Sequence, residues 1–325
     1  RSTSAAATSA TSTTTVDDEI NIRASDSLGN DLYGMFFDPS NKEAAVVNRL
    51  MTAIRGKDKK AKTATETLIL NFVLIAAGAP KNPLPATANL DGLNADEIYE
   101  LMEEHLPKFI VKYPLVAITG KMKGKTFRAR FYSLFTALTE AMLTTILSSS
   151  DESTIKTSER VLISLEVLVD QLVGLTAMAQ VALRDAATEA VMAIGQAMVK
   201  SGVSRREELT RLKRLLNATK NDSKSKAKSS AAATVSSREK QLQRSVATYE
   251  ASAKSLEKLT NAIFTGVLVL RYKDAQANIR SRCMQYFGEW IDHDPKKYFK
   301  DEYLKYIGWT TTDPDDKVRK ECVKA

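Results

Sequence analysis

Side chains that catalysis would need are scarce in this 325-residue sequence. The two histidines, His105 and His293, and the two cysteines, Cys283 and Cys322, are far apart along the chain. Neither pair has the spacing of a metal site or an activated nucleophile. There is no Gly-rich phosphate loop, no His-x-Glu, no Cys-x-x-Cys, and no Ser/His/Asp arrangement that spacing supports. Asp313, Asp315 and Asp316 imitate a cation loop but lack the Gly and distal Glu of a calcium site. Asp313 followed by Pro314 reads instead as a helix N-cap and first-turn proline. No enzyme, no metal and no cofactor is expected.

Positive charge is what the sequence concentrates. Three stretches, 55–62, 120–130 and 204–228, hold 19 of the 47 basic residues and only 4 acidic ones. Their net charge is +15, against −7 for the rest of a chain whose total is only +8. Local basic patches on an acidic body attract phosphate backbones and release counterions, giving salt-sensitive, largely sequence-independent binding. The best-formed stretch supplies Lys121, Lys123, Lys125, Arg128 and Arg130 with no acid among them, and a second supplies Arg55, Lys57, Lys59, Lys60 and Lys62. Any one of these lysines alone reads better as solvated surface. The clusters read as contacts to double-stranded DNA. The 204–228 stretch is weaker, because Lys and Ser on an arm often serve only solubility.

A second candidate surface lies near the C-terminus, where Tyr298, Phe299, Tyr303, Tyr306 and Trp309 crowd one segment with Lys300, Asp301, Glu302 and Lys305 among them. Aromatics interleaved with charge at helical spacing can anchor a peptide, and the competing reading is core packing. Trp290 falls on the Ile279, Cys283, Phe287 stripe and is expected to be buried, while Trp309, after Gly308 near a helix end, is expected to be partly exposed.

Helices must position both surfaces. With 13 Gly and 8 Pro, the chain has half the usual combined share of about 12%, too little turn chemistry for a multi-stranded sandwich or barrel. Residues 1–25 are Ser/Thr/Ala-rich, without the large apolar side chains that offset ordering entropy, and are expected to be a disordered tail. Apolar residues recur at three and four from Lys42 to Ile54, and Leu68 to Ala79 is apolar almost all round, as in a helix buried between neighbours. Pro80, Pro83 and Pro85 mark a loop, and Asn94 with Glu97 resembles a capping box. Further helices are expected over 123–147, 154–172, 176–200 and 204–216. A polar, mobile loop is expected at 217–237, and then a thin-seamed helix through Leu242, Val246, Tyr249, Ala253 and Leu256 to Ile263. Two thin seams flanking a polar loop predict a projecting helical hairpin, 204–260, between an N-terminal helical domain, 26–203, and a last region, 261–325. No strand is expected. The longest apolar run is too short to span a membrane and carries Asn71. The chain lacks a hydrophobic signal core and starts without Met, which suggests a fragment or a processed chain, and its few cysteines suit a reducing compartment.

An internal repeat decides the architecture. Asp274, Ile279, Arg280 and Cys283 recur as Asp313, Val318, Arg319 and Cys322, offset by 39 residues, with a fainter echo in Leu183, Arg184 and Ala187. Periods near 40 with an Asp and then apolar-Arg-x-x-small belong to helix-pair solenoids, where each pair buries its face only against the next. The Arg can pair with an Asp of a neighbouring repeat. The expected fold is therefore all-α, a HEAT-like α-solenoid of antiparallel helix pairs.

The stretch Asn261-Ala-Ile-Phe-Thr-Gly-Val-Leu-Val-Leu-Arg-Tyr-Lys-Asp274, with Ile279-Arg280, Gly288-Glu-Trp290, Tyr303-Leu-Lys-Tyr-Ile-Gly-Trp-Thr310, Val318-Arg319 and Cys322, resembles the stromalin region of the stromal antigen (Scc-type) subunit family of cohesin. Tyr113-Pro114-Leu115 and 181–187 are similar to the same family's N-terminal helices. The resemblance implies a hook-shaped HEAT-repeat protein of the nucleus and chromosome that supports sister chromatid cohesion and cohesin loading. Its partners would be double-stranded DNA, the kleisin subunit and cohesin regulators. It places DNA on the basic N-terminal helices and aromatic regulator peptides on positions matching Tyr272, Asp301, Lys305 and Trp309. Most of the repeats that grip the kleisin in that family are missing here, as are the helices that complete the peptide surface. The alternative is an interaction scaffold with no direct nucleic-acid role.

Overall fold

The computed structural model describes residues 32, 43–79, 83–85, 88, 90, 92–93, 95–102, 124–148, 151–225 and 232–325, without the side chains of 95, 99, 101–102, 124–126, 222–225 and 232–236. The expected tail 1–25, Asn94, Lys121 and Lys123 lie outside the described residues, which contain helices and turns and no strand.

Chain order is α1 (Glu43–Arg55), α2 (Lys59–Ala76), α3 (Ala95–Met102), α4 (Gly124–Leu147), α5 (Glu152–Leu175), α6 (Val181–Ser225) and α7 (Ala232–Ile263). A π-helical turn, Phe264–Leu268, leads to α8 (Val269–Arg271), then α9 (Ala277–His293), α10 (Pro295–Tyr298), α11 (Asp301–Thr310) and α12 (Asp316–Lys324). Local chemistry sets several starts. Asp58 caps α2 by accepting from the Lys60 amide, and Asp151 and Thr154 form a reciprocal capping box at α5, each satisfying amides that a helix start leaves without intrahelical partners. The N-cap of α12 is Asp315, which accepts from the Lys317 amide, not Asp313 as the sequence suggested. Asp313 is held elsewhere, by Arg280.

The first half of α6 is the axis of the core. From Ala182 to Val199 it is buried on every side, because Ala182, Ala186, Ala187, Ala190, Ala193 and Ala197 let α4, α5, α7 and α9 close around it. Gly195 sits where an added Cβ would lie 2.5 Å from Cζ2 of the fully buried Trp290. Around this axis, Phe72, Phe127, Phe131 and Phe135 form a ring chain across α2 and α4, with centroid spacings of 4.9–6.1 Å. Burial of such rings is the main source of cohesion here.

Beyond Val199 the same helix leaves the core and pairs with α7 as a two-helix arm. Most of the expected loop is absent: α6 continues to Ser225 and α7 begins at Ala232. Lys, Asn and Ser read as loop by composition, yet Leu212, Leu216 and Thr219 keep helical spacing, and Leu216 and Val246 are buried along the seam.

The C-terminal helices stack as repeats. α9 packs on α6 and then receives α12 on its other side. Two near-identical ion pairs lock these joints. Arg184 on α6 donates Nε and Nη2 to the two carboxylate oxygens of Asp274 at 3.0 and 3.2 Å. Arg280 on α9 does the same to Asp313 at 2.7 and 2.7 Å. Bidentate Arg–carboxylate pairs fix orientation as well as distance.

Candidate nucleic-acid and peptide interfaces

The basic stretch 55–62 falls at the junction of α1 and α2, where the chain must turn and so exposes its side chains. Lys57, Lys59 and Lys60 are exposed, and the one acid among them, Asp58, is spent as the α2 cap. Arg55 donates Nε and Nη2 to Thr145 Oγ1 at 3.0 and 2.6 Å, and its carbonyl accepts from Arg160 Nη2 at 3.1 Å. Lys62 is half-buried and lies 3.6 Å from Glu66, so it is drawn inward. The fold adds a residue that the sequence reading did not include: Arg160 on α5, 105 positions from Arg55. No local signal marks that approach.

The stretch 120–130 divides differently. The Lys125 side chain, like Lys121 and Lys123, is outside the described residues, and Arg130 is half-buried. Arg128 is turned inward rather than presented to solvent. Its side chain is only 11% exposed and donates Nη2 to Asp185 at 2.7 Å and Nη1 to Glu189 at 2.5 Å. Burial disfavours the charged guanidinium, but the two facing carboxylates more than offset this and hold its pKa above that of an ordinary arginine. Glu189 also accepts from the Tyr286 hydroxyl and faces Arg282 at 3.5 Å. Tyr132 stacks on Tyr286 at 5.6 Å, and its own hydroxyl is pushed up to about 12 by burial and nearby carboxylates. The acids that claim Arg128 stand 57 and 61 residues away, so the acid-free run around it gave the wrong impression.

Some of the arm charge is paired within the structure. Arg206 meets Asp294 at 2.8 Å, Arg211 meets Glu208 at 2.7 Å and Lys213 meets Glu250 at 2.8 Å, while Arg205 is buried at the arm base.

Near the C-terminus the fold brings together residues from two successive repeats. Tyr272, just after α8, lies 5.4 Å from Tyr306 and 6.2 Å from Trp309, both on α11. Lys305 Nζ stands 5.2 Å from the Tyr306 ring centroid and 5.7 Å from that of Trp309, within cation–π range. Asp301 is exposed one turn earlier on α11. Beneath them the buried Phe264 makes edge contacts with the half-buried Tyr303 and Tyr306 at 4.9 and 5.7 Å. Trp309 is 56% exposed and Leu270 42% exposed. The two are 39 positions apart, the repeat offset, so successive helix pairs present an apolar side chain at the same register. Leu270 is the member that residue type alone did not flag.

The described residues hold no cluster of three or more metal-ligating side chains and no helix long and apolar enough to cross a membrane. Fold and surfaces together define an α-solenoid with an aromatic and cationic cluster centred on α11. Residues 273–325 match the stromalin conservative domain. Mouse cohesin subunit SA-3 is 42% identical over 77 residues, which are 24% of this chain and 6% of that protein. Arabidopsis thaliana sister-chromatid cohesion protein 3 is 44% identical over 71 residues, 22% of this chain and 6% of that protein. The solved cohesin subunit Scc3 from Z. rouxii superposes with a TM-score of 0.69 at 17% identity, over 90% of this chain and 31% of that one, so the solenoid architecture is shared well beyond the matched domain. The likeness to the stromalin family rests on residues 273–325 and on the shared fold, and the sequence matches span a small part of the length of those relatives.

Proposed function

We propose that this chain acts without catalysis, as part of a cohesin accessory subunit of the stromal antigen class that holds duplex DNA on the chromosome. The carrying observation is the α1–α2 junction, where Lys57, Lys59 and Lys60 are exposed and the only intervening acid is committed to a helix cap. Arg55 and Arg160 adjoin them, and the lysines at 121, 123 and 125 extend the same reading by sequence. Flexible ammonium groups on a rigid turn suit phosphate contact without base readout. The kleisin subunit, a role in cohesin loading and a nuclear location go with this reading, which involves no membrane.

The test is fluorescence polarisation of a labelled duplex across a salt series. Lys57→Glu, Lys59→Glu and Lys60→Glu combined should weaken binding about tenfold or more and flatten the log K against log salt slope by roughly 2 to 3. Unchanged affinity and slope would remove the junction from the DNA path.

A second surface is favoured by the Tyr272, Tyr306, Trp309 and Lys305 cluster, with Asp301 beside it. An exposed Trp309 beside half-buried tyrosines, with a cation over the rings, suits an aromatic-bearing regulator peptide, and this reading stands even if the scaffold makes no nucleic-acid contact.

A further inference from the structure

The root of the arm holds more positive charge than its acids balance. Arg205 and Arg206 follow the point where α6 leaves the core, and their guanidinium groups flank Gly202. A Cβ added to that glycine would lie 3.5 Å from Nη2 of Arg205 and 3.6 Å from Nη1 of Arg206. One carboxylate faces the pair: Asp294, buried between α9 and α10, accepts from Nη2 of Arg206 at 2.8 Å. Arg205 is 5% exposed and donates Nη1 to the Ser201 hydroxyl at 3.0 Å. It has no ion pair among the described residues, and Glu257, the acid that acts on it most strongly, is bonded to Lys297. Burial lowers the Arg205 pKa and the neighbouring Arg206 adds to that, as befits a cation whose compensation is incomplete.

Beside Arg206 a cleft of about 500 Å³ opens between α6 and the α9–α10 corner, a volume in the range of small-molecule sites. Arg206 and Arg214 line one wall, and His293 and Lys296 line the other. The two arginines are eight residues apart on one helix, which separates them by about 12 Å. The side chains of Arg214, His293 and Lys296 make no ion pair or hydrogen bond among the described residues, and Arg206 is bonded through Nη2 alone. The acids of the lining are Asp294, already bonded, and the exposed Glu207.

We propose that this cleft binds a polyphosphate, a small molecule carrying at least two linked phosphoryl groups, free or borne on a nucleotide. One phosphate cannot reach both arginines across that spacing, whereas a chain of them can. Guanidinium forks, one of them oriented by a backing carboxylate, with an ammonium group opposite, are suited to phosphoryl oxygens. The bound anion would also supply the counter-charge that Arg205 and Arg206 lack. No residue of the α1–α2 junction or of the α11 rings takes part, so the proposal is independent of both surfaces.

Calorimetric titration of the full chain with inorganic tripolyphosphate at physiological salt tests it. A single site should appear, filled at least tenfold more tightly than by inorganic phosphate. Arg214→Gln with Lys296→Gln, both at exposed positions, should leave the melting temperature unchanged and weaken tripolyphosphate about tenfold or more. Lys57→Glu, Lys59→Glu and Lys60→Glu combined should leave that affinity as it is. Competition by ATP separates the two sources: tighter binding than tripolyphosphate assigns the cleft to a nucleotide, weaker binding to a free chain. Affinity no better than that of inorganic phosphate, indifference to the double variant, or an equal loss in the junction variant would each overturn the proposal. So would a duplex that loses affinity in the double variant while tripolyphosphate does not bind, which would give the cleft to nucleic acid.

Discussion

In the N-terminal half one guanidinium, Arg128, meets two carboxylates, Asp185 and Glu189. In the C-terminal half one carboxylate, Asp274, meets two guanidinium groups, those of Arg184 and Arg271. The chemistry is the same and the stoichiometry is inverted. Around Glu189 the second acid is balanced from across the fold, by Tyr286 and Arg282, so the cluster ties α4, α6 and α9 into one body. Around Asp274 every partner lies at a repeat boundary, so the same bond becomes a device that can be copied, and Arg280 with Asp313 copies it. The difference teaches that a buried ion pair acts as a unique anchor or as a modular joint according to what repeats with it.

The comparison can be broken first at the anchor. Arg128→Met leaves two buried carboxylates without their main counter-charge and should cost about 3–5 kcal/mol, read as a lower urea midpoint with unchanged slope. A loss below 1 kcal/mol would mean that the cluster anchors nothing. The joints should be softer. Asp274→Asn should cost about 1.5–3 kcal/mol, the range for hydrogen bonds to charged groups.

Acid should find the joints as well. Burial alone would raise Asp274, but bonds from Arg184 and the Gln276 amide outweigh it and hold its pKa below the ordinary 3.8. The Arg280 pair holds Asp313 below that value too. Because the folded values are lowered, their stabilisation is complete above about pH 5 and is lost as pH falls through them. Asp274→Asn with Asp313→Asn should therefore flatten the decline of the urea midpoint below about pH 4. An equally steep decline would place the acid sensitivity elsewhere. The smallest change is expected at the exposed face that the joints carry. Trp309→Ala should alter stability by less than about 1 kcal/mol, while weakening any aromatic peptide held there about 30-fold by calorimetry.

What the sequence made legible follows the same division. The 39-residue echo named both partners of the Arg280–Asp313 joint in kind, because a repeated environment writes itself twice into the chain. The burial of Trp290 followed from helical phase and the exposure of Trp309 from its place after Gly308 near a helix end, both local properties. The pairing of Arg128 was not legible because its acids lie on α6, and only the packing of α4 against α6 brings them near. Arg160 was missed for the same reason. The arm was read with a long loop because composition at 217–237 is polar. Helical phase, kept by Leu212, Leu216 and Thr219, was the better guide there.

The first joint closes 90 residues of chain, from Arg184 to Asp274, and the second closes 33, from Arg280 to Asp313. Loop-closure entropy grows only with the logarithm of length, so the excursion of the arm adds about 0.9 kcal/mol. Its two strokes, α6 out and α7 back, return the chain to its starting point by zipping along one seam. The arm is thus an inexpensive detour between two halves of one bond. Removing equal lengths from α6 and α7 at the tip would shorten the journey without moving either end.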